Sequence, residues 1–364
     1  MASRELRKAC YRGYWSIFAV LSPLALLLAL VCGGCTLGPI VSPADEIEED
    51  ISQAPPKPFK LEEPLFVFAT IADSHITSTF FDDHRYLKAL SISRKLLANV
   101  VRDINAYRPM VDFVVHLGDI TDFGTASEFD NARRILDELR CPLFPVVGNH
   151  DNFCSDNKRG WKNFAGRDST TYAFDYKGFH FIVIDCTPDP YEPSRIGCDA
   201  SLREWVMQNL LANREKPTIL FSHYNLIERY WNAMFDTVSH YPEYAGMADL
   251  RTILEQAGHV IAVINGHVHA NRVEIIDGIY YIDIGATLVG IPSIRYFHVY
   301  PSRIEVKYRY ISNARLREHV ASLCPQCCCC FDRERVCEFI DGYPEDKVFT
   351  ILLNGTGLGE AAAR

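Results

Sequence analysis

The sequence predicts an α/β fold in which two mixed β-sheets pack as a sandwich and are flanked by helices. Three observations carry that expectation. Between Leu65 and Val147, short apolar runs alternate with helix-period segments in the order β-α-β-α-β, which calls for parallel strands with helices on their faces. After Thr171 the pattern changes to hairpin-like pairs with turn residues between them, so antiparallel strands join the parallel ones. Five strand-like runs also end in residues able to bind metal, as they would if strand ends converged on one edge of a sheet.

The 364 residues allow one or two domains, and 48% hydrophobic with 23% charged residues is an ordinary globular composition. A net charge of -9 offers no general attraction to a nucleic-acid backbone, so no duplex is expected as a partner. A small phosphoester remains possible, because a local cationic site is enough to hold it.

Residues 1–35 read as a signal or anchor. Arg4, Arg7, Lys8 and Arg12 form a basic start, Trp15 to Val31 is apolar and uncharged, and Cys32-Gly33-Gly34-Cys35 follows. Two small residues before Cys35 resemble the lipobox of bacterial lipoproteins, which makes Cys35 the lipidation candidate. Cys32 departs from that pattern, which has Leu there. An uncleaved anchor is the alternative, at the short limit for a spanning helix, and a buried N-terminal helix is a third. The first two hold the protein at a membrane. The lipoprotein reading puts it on the exported side, periplasmic or at the cell surface. Residues 36–62 are acidic and Pro-rich, from Asp45-Glu46-Ile47-Glu48-Glu49-Asp50 to Ala54-Pro55-Pro56-Lys57-Pro58, and read as an extended tether.

Residues 63–311 carry the predicted catalytic domain. Leu65 to Ile71 reads as a strand, and His84 to Ile104 as a helix with Leu90, Leu97, Val100, Val101 and Ile104 on one face. Strands at Val111–Val115 and Leu143–Val147 bracket a helix over Ser127–Leu139, with Ser127 as its expected cap. Hairpins are expected over 171–185, 272–284 and 294–310, turning at Lys177-Gly178, Asp277-Gly278 and Pro301-Ser302. Between the first two lie helices at Leu202–Leu211 and Met247–Gln256 and strands at Thr218–Phe221 and Val260–Ile264.

The strand ends carry the chemistry. They are Asp73-Ser74-His75, Gly118-Asp119, Gly148-Asn149-His150-Asp151, Ser222-His223 and Gly266-His267-Val268-His269. An Asp or His just past a strand is ordinarily a turn or cap residue, but five in this order are not. Carboxylate, imidazole and amide oxygen form an N/O donor set suited to Mn, Fe or Zn, and no Cys is present that would select a thiophilic ion.

These blocks resemble the calcineurin-like metallophosphoesterase superfamily, whose pattern is D-x-H, GD, GNHD or GNHE, H and GHxH. All five occur in order across about residues 65–311. The resemblance implies a four-layer sandwich and a centre of two divalent metal ions. In it Asp73, His75 and His269 hold one ion, Asn149, His223 and His267 hold the other, and Asp119 bridges them. Two ions clamp the attacking and leaving oxygens of a phosphoryl displacement, and a hydroxide between them is the expected nucleophile. The resemblance makes His150 the acid for the leaving oxygen, with Asp151 orienting its imidazole.

Departures narrow the branch. Purple acid phosphatases have a tyrosine ligand at the position of Asp122, and Ser/Thr phosphatases have arginine where Phe123 stands. Gly118-Asp119-Ile120-Thr121-Asp122 with Gly148-Asn149-His150-Asp151 is similar to the class III cyclic nucleotide phosphodiesterases. That likeness implies a phosphodiester substrate of cyclic-nucleotide or glycerophosphodiester type. A lipid-linked diester or pyrophosphate is the alternative, and an inactive binding protein is the other class. Arg229 or Arg272 could still reach the pocket. An aromatic-rich stretch, with Tyr224, Tyr230, Trp231, Phe235, Tyr241 and Tyr244, is either a lid or a packed loop.

Residues 312–364 form a Cys-rich extension, with Cys324, Cys327 to Cys330 and Cys337. Disulfides, within it or to Cys141, Cys154, Cys186 or Cys198, suit an exported chain; a metal site and acylation are alternatives. Phe349 to Leu353 is a further strand candidate.

Overall fold

The computed structural model describes residues 62–79, 83, 88–154, 158–187, 197–231, 239–241, 246–323, 337–338 and 340–353, with the backbone alone at 229–231 and 239–241. The chain divides into units Met1–Lys60 and Leu61–Arg364, and every described residue falls in the second. The signal segment, Cys35, nearly all of the tether and the run Cys324–Cys330 lie outside the described residues, as do Phe235 and Tyr244 of the aromatic-rich stretch.

Two six-stranded sheets form the framework. In the first, β1 (Phe66–Ile71), β2 (Phe113–His116) and β3 (Leu143–Pro145) run parallel. The antiparallel strands β12 (Ser293–Val299), β13 (Arg303–Tyr310) and β14 (Phe349–Leu352) extend it on the β1 side. The second sheet has β5 (Phe179–Ile184), β6 (Thr218–Ser222), β9 (Val260–Asn265) and β11 (Ile279–Asp283) in parallel, edged by antiparallel β4 (Tyr172–Tyr176) and β10 (Arg272–Ile276). A small ribbon pairs β7 (Arg229–Trp231) with β8 (Ser239–Tyr241). Two mixed sheets flanked by helices are the architecture that the alternation and the hairpins predicted.

The sheets meet over phenylalanines, because alternate residues of each strand point to the same face. Phe68 stacks on Phe113 at 5.2 Å and Phe297 at 4.4 Å within its own sheet. It meets Phe181 at 5.9 Å and Phe221 at 6.2 Å, edge-on, from the other sheet. Each such fully buried ring contributes about 1.5–3 kcal/mol of transfer free energy. Helix α1 (Ser93–Ala106) buries Leu96, Leu97, Val100, Val101 and Ile104 in the same core. A second core beyond the other sheet joins Leu220, Val263 and Tyr281 to Val206 and Leu210 of α4 (Ala200–Ala212) and Leu250 and Leu254 of α5 (Met247–Ala257).

Two local expectations change. Of the helix expected from His84, residues 84–87 lie outside the described residues, Lys88 and Ala89 are not helical, a 3-10 turn runs over Leu90–Ile92 and α1 starts at Ser93. Helix α2 (Ala126–Leu136) is capped by Thr125, not Ser127. The Thr125 hydroxyl accepts from Glu128 N, and the Glu128 carboxylate accepts from Thr125 N, a reciprocal pair that the Thr-x-x-Glu spacing provides. Helix α3 (Arg159–Ala165) inserts Trp161, whose indole donates to Val146 O at 3.1 Å behind the GNHD turn.

The segment after residue 311 supplies α6 (Ala314–Leu323), α7 (Pro344–Lys347) and β14. It braces the back of the last motif block: Asn271 N donates to Ile340 O at 3.0 Å, and the buried Arg295 donates to Asp346 O at 2.7 Å and to Asn271 Oδ1 at 3.2 Å. Cys186 and Cys198 form a disulfide with Cα atoms 5.2 Å apart. No helix among the described residues is long and apolar enough to cross a membrane.

Candidate metal centre

All five blocks leave the carboxyl ends of parallel strands, Asp73 after β1, Asp119 after β2, Asn149 after β3, His223 after β6 and His267 after β9. Three come from one sheet and two from the other, so their side chains meet where the two strand-end edges adjoin. The backbone there is strained. Asp73, His75, Asp119, His267 and His269 all have left-handed φ, at 52°, 39°, 50°, 71° and 55°. That conformation costs roughly 1–2 kcal/mol per residue with a Cβ, and it persists where the surroundings over-determine it. Asp73 N to Gly118 O at 3.0 Å and His75 N to Asp119 O at 2.9 Å lock the first two blocks together. Gly148 is needed for close approach, since a Cβ there would run into the Asp119 backbone and carboxylate.

Three clusters result among the described residues, one of them joining His75, Asp122 and His150 and the other two sharing Asp119. Asp73, His75, Asp119 and His269 bring one ligand atom each within 4.8 Å of one another, as do Asp119, His223 and His267. Asp119 belongs to both, its Oδ2 lying 3.7 Å from His75 Nε2 and 3.3 Å from His223 Nε2. His269 Nε2 is 3.3 Å from Asp73 Oδ1 and 3.3 Å from His75 Nε2. Asn149 Oδ1 lies 3.1 Å from His223 Nε2 and completes the second set.

Geometry and electrostatics both fit divalent metal ions. Bonds of about 2.1 Å in a tetrahedron separate ligand atoms by about 3.4 Å. His223 Nδ1 donates to Leu117 O at 2.8 Å, so Nε2 is the nitrogen that faces the Asp119 and Asn149 oxygens. Burial works against a charge on His223, yet the Asp119 carboxylate, with Asp73, raises its pKa to about 9. Burial likewise favours a neutral Asp119, but His223, His150 and His75 hold its carboxyl well below the usual range. Burial, with like-charged neighbours, pushes His75 and His267 well down and keeps them as neutral donors. Buried oxygens and imidazole lone pairs aimed at common points call for cations. The seven residues expected as ligands are those assembled here, and they would hold two divalent ions.

The GNHD turn holds a correction. Asp151 was expected to orient His150, but its carboxylate points away from that ring. Oδ1 accepts from Thr121 N at 2.8 Å and Thr121 Oγ1 at 2.9 Å, and Oδ2 accepts from Gly148 N at 2.9 Å. His150 begins a 3-10 turn at His150–Asn152, which carries successive side chains to different sides. Asp151 therefore ties this turn to the Gly118-Asp119 loop. The partner of His150 is Asp122: its carbonyl accepts from Nδ1 at 2.8 Å, and its Oδ1 lies 3.6 Å from the same nitrogen. Asp122 Oδ1 is also 3.1 Å from His75 Nδ1, so one residue steadies an expected ligand and the expected acid. Burial, reinforced by Glu128 and Asp119, raises the Asp122 pKa to about 7 although Lys88 opposes it. The signal was present in the sequence as a carboxylate three residues after Asp119.

Burial lowers the His150 pKa to about 4 despite the pull of Asp119. Its ring packs at 4.5 Å against His75 and at 4.6 Å against the exposed Phe153. Lys88, which no motif marks, brings Nζ to 3.4 Å from His75 Nε2. Arg272 is engaged elsewhere, 3.3 Å from Asp346 and with its guanidinium 5.1 Å from the Tyr343 ring centre.

Known proteins agree with this architecture. The chain is 27% identical over 176 residues to a probable glycerophosphodiester phosphodiesterase, GpdQ, of Arcobacter nitrofigilis, covering 48% of this chain and 63% of that protein. It is 27% identical over 164 residues to a probable cyclic nucleotide phosphodiesterase of Rhodopseudomonas palustris, covering 43% of this chain and 56% of that protein. The matches thus span roughly six-tenths of the relatives' own lengths. Among solved structures, a dimetal phosphatase from Danio rerio superposes with a TM-score of 0.54 at 18% identity over 69% of this chain and 98% of that one, a likeness of fold. Residues 66–271 match the model of the calcineurin-like phosphoesterases, and with the five blocks assembled into one site, the chain belongs to that family.

Proposed function

We propose that the protein hydrolyses a phosphodiester of the cyclic-nucleotide or glycerophosphodiester kind. The observation that carries the proposal is the shared Asp119 carboxylate with His150 beside it, a two-metal arrangement next to a titratable imidazole. Bound divalent ions supply phosphoryl charge neutralisation and an activated water. The remaining roles belong to the chain. Asp122 O accepts a hydrogen bond from His150 Nδ1–H, which leaves Nε2 to exchange a proton with the leaving oxygen. An anionic diester against that imidazole favours its charged form and raises the lowered pKa again. Phe123 in place of an arginine, and relatives named for diesterase activity, support a singly charged diester over a monoester.

The N-terminal sequence supports a second part of the proposal, that lipidation at Cys35 or an apolar anchor holds the enzyme at a membrane, on the exported side if Cys35 is lipidated. Radiolabelled palmitate incorporated into wild type but not Cys35→Ser would identify lipidation. Membrane association in both variants without label would point to the anchor, and a protein recovered wholly in the soluble fraction would end the proposal. For the reaction, Mn-loaded protein is assayed with bis(p-nitrophenyl) phosphate, p-nitrophenyl phosphate, cyclic nucleotides and glycerophosphodiesters. Diester turnover that is lost in His150→Ala and Asp119→Asn is expected. Preference for the monoester would overturn the diester reading.

A further inference from the structure

Lys88 lies outside all five blocks, on the segment leading into the 3-10 turn at Leu90–Ile92, yet its ammonium sits at the centre of the site. Nζ is 3.4 Å from His75 Nε2, an atom of the first metal cluster. The His75 ring in turn packs at 4.5 Å against the His150 ring, so the ammonium stands beside a metal ligand that touches the proposed acid. Among the described residues, Lys158 Nζ pairs with Asp185 at 2.5 Å and Arg272 pairs with Asp346. Phe123 leaves the GDxxD loop without a cation of its own.

We propose that Lys88 is a substrate-binding residue whose ammonium holds a non-bridging oxygen of the phosphoryl group. The Nε2 lone pair of His75 serves one cation. Once that nitrogen ligates a metal ion, the ammonium loses this acceptor and is repelled by the ion. Lys88 is half-buried, so its stem stays in place while its rotatable head swings by a few ångströms. The anion within reach is then the phosphoryl group of a substrate bound beside His75 and His150. An ammonium is a compact point charge, suited to one oxygen of a singly charged diester or of orthophosphate. The inference rests on the phosphoesterase reading and adds a specific anion ligand to it.

The test compares Mn-loaded wild type with Lys88→Met, Lys88→Gln and Lys88→Arg. Metal content is measured by elemental analysis, orthophosphate binding by calorimetry, and KM and kcat with bis(p-nitrophenyl) phosphate. Lys88→Met and Lys88→Gln are expected to keep the wild-type Mn content and to bind orthophosphate about 10-fold or more weakly, the loss typical of a charged hydrogen-bond partner. KM should rise in parallel, and Lys88→Arg should recover most of both. Orthophosphate affinity within twofold of wild type would overturn the proposal, as would reduced Mn content in a folded variant. Absence of diester turnover in the wild type would count against the phosphodiesterase reading alone, because the phosphate titration still decides Lys88. Lys88→Gln serves the same purpose should Lys88→Met fail to fold.

Discussion

Replacing Asp151 by asparagine is expected to cost stability, whereas replacing Asp122 is expected to cost metal affinity and catalysis. Asp151 is fully buried, and its two oxygens accept three hydrogen bonds from Thr121 and Gly148. An asparagine that keeps Oδ1 toward Thr121 turns its amide nitrogen toward Gly148 N–H, so two donors face each other and neither is satisfied. Each unsatisfied buried group costs about 1–3 kcal/mol, or roughly 2–6 kcal/mol together. At about 2–4 °C per kcal/mol, Tm should fall by roughly 4–24 °C. His150 keeps its bond to Asp122 O, so kcat per folded molecule should stay within a few-fold of wild type. In Asp122→Asn the carboxylate beside His75 Nδ1 is lost while the backbone carbonyl remains. Removing such outer support of a metal ligand weakens metal binding about 10–100-fold. Thermal melting, Mn titration and diester turnover at saturating Mn separate the two. Should Asp151→Asn melt like wild type with its Mn content intact but lose kcat a hundredfold, the assignment of Asp151 to the turn would be refuted.

Gly148→Ala is expected to displace the Asp119 carboxylate, visible as loss of Mn stoichiometry by elemental analysis even where the far-UV CD spectrum is unchanged. Breaking the Cys186–Cys198 disulfide, which closes a 12-residue separation, by Cys186→Ala with Cys198→Ala should destabilise the protein by about 3 kcal/mol in urea unfolding without reductant. Burial lowers the His116 pKa to about 4 while its Nε2 lies 2.7 Å from Ser74 Oγ. The unfolded chain takes up a proton near pH 6.5 that the folded protein refuses until about pH 4, so this group's contribution is lost as pH falls through that window. The loss is about 1.4 kcal/mol per pH unit. His116→Gln should remove it, so the stability gap between wild type and variant should narrow from pH 6.5 to 5. A constant gap would contradict a neutral His116.

Much of the fold was legible because its signals are local. Apolar runs such as Leu65 to Ile71 and turns such as Lys177-Gly178 express strand and hairpin preferences within a few residues. The cap of α2 was misplaced because Thr125 and Ser127 are both competent, and the choice rests on Glu128 closing a reciprocal pair with Thr125. The start of α1 was misplaced because apolar periodicity does not distinguish a 3-10 turn from the first turn of an α-helix.

The site divides in the same way. The sequence by itself determined which side chains can ligate metal, since five short blocks at successive strand ends carry Asp73, His75, Asp119, Asn149, His223, His267 and His269 in an order that admits one edge. It also marked His150 as the titratable group beside them. Only the tertiary structure decided which carboxylate serves which imidazole and that Lys88 reaches the centre. Asp151 is adjacent to His150 in sequence, but a 3-10 turn points adjacent side chains apart, whereas Asp122 arrives from another loop in hydrogen-bond contact. Partnership within a few ångströms depends on how separate loops are stacked by the sheets. Periodicity and spacing carry no information about that.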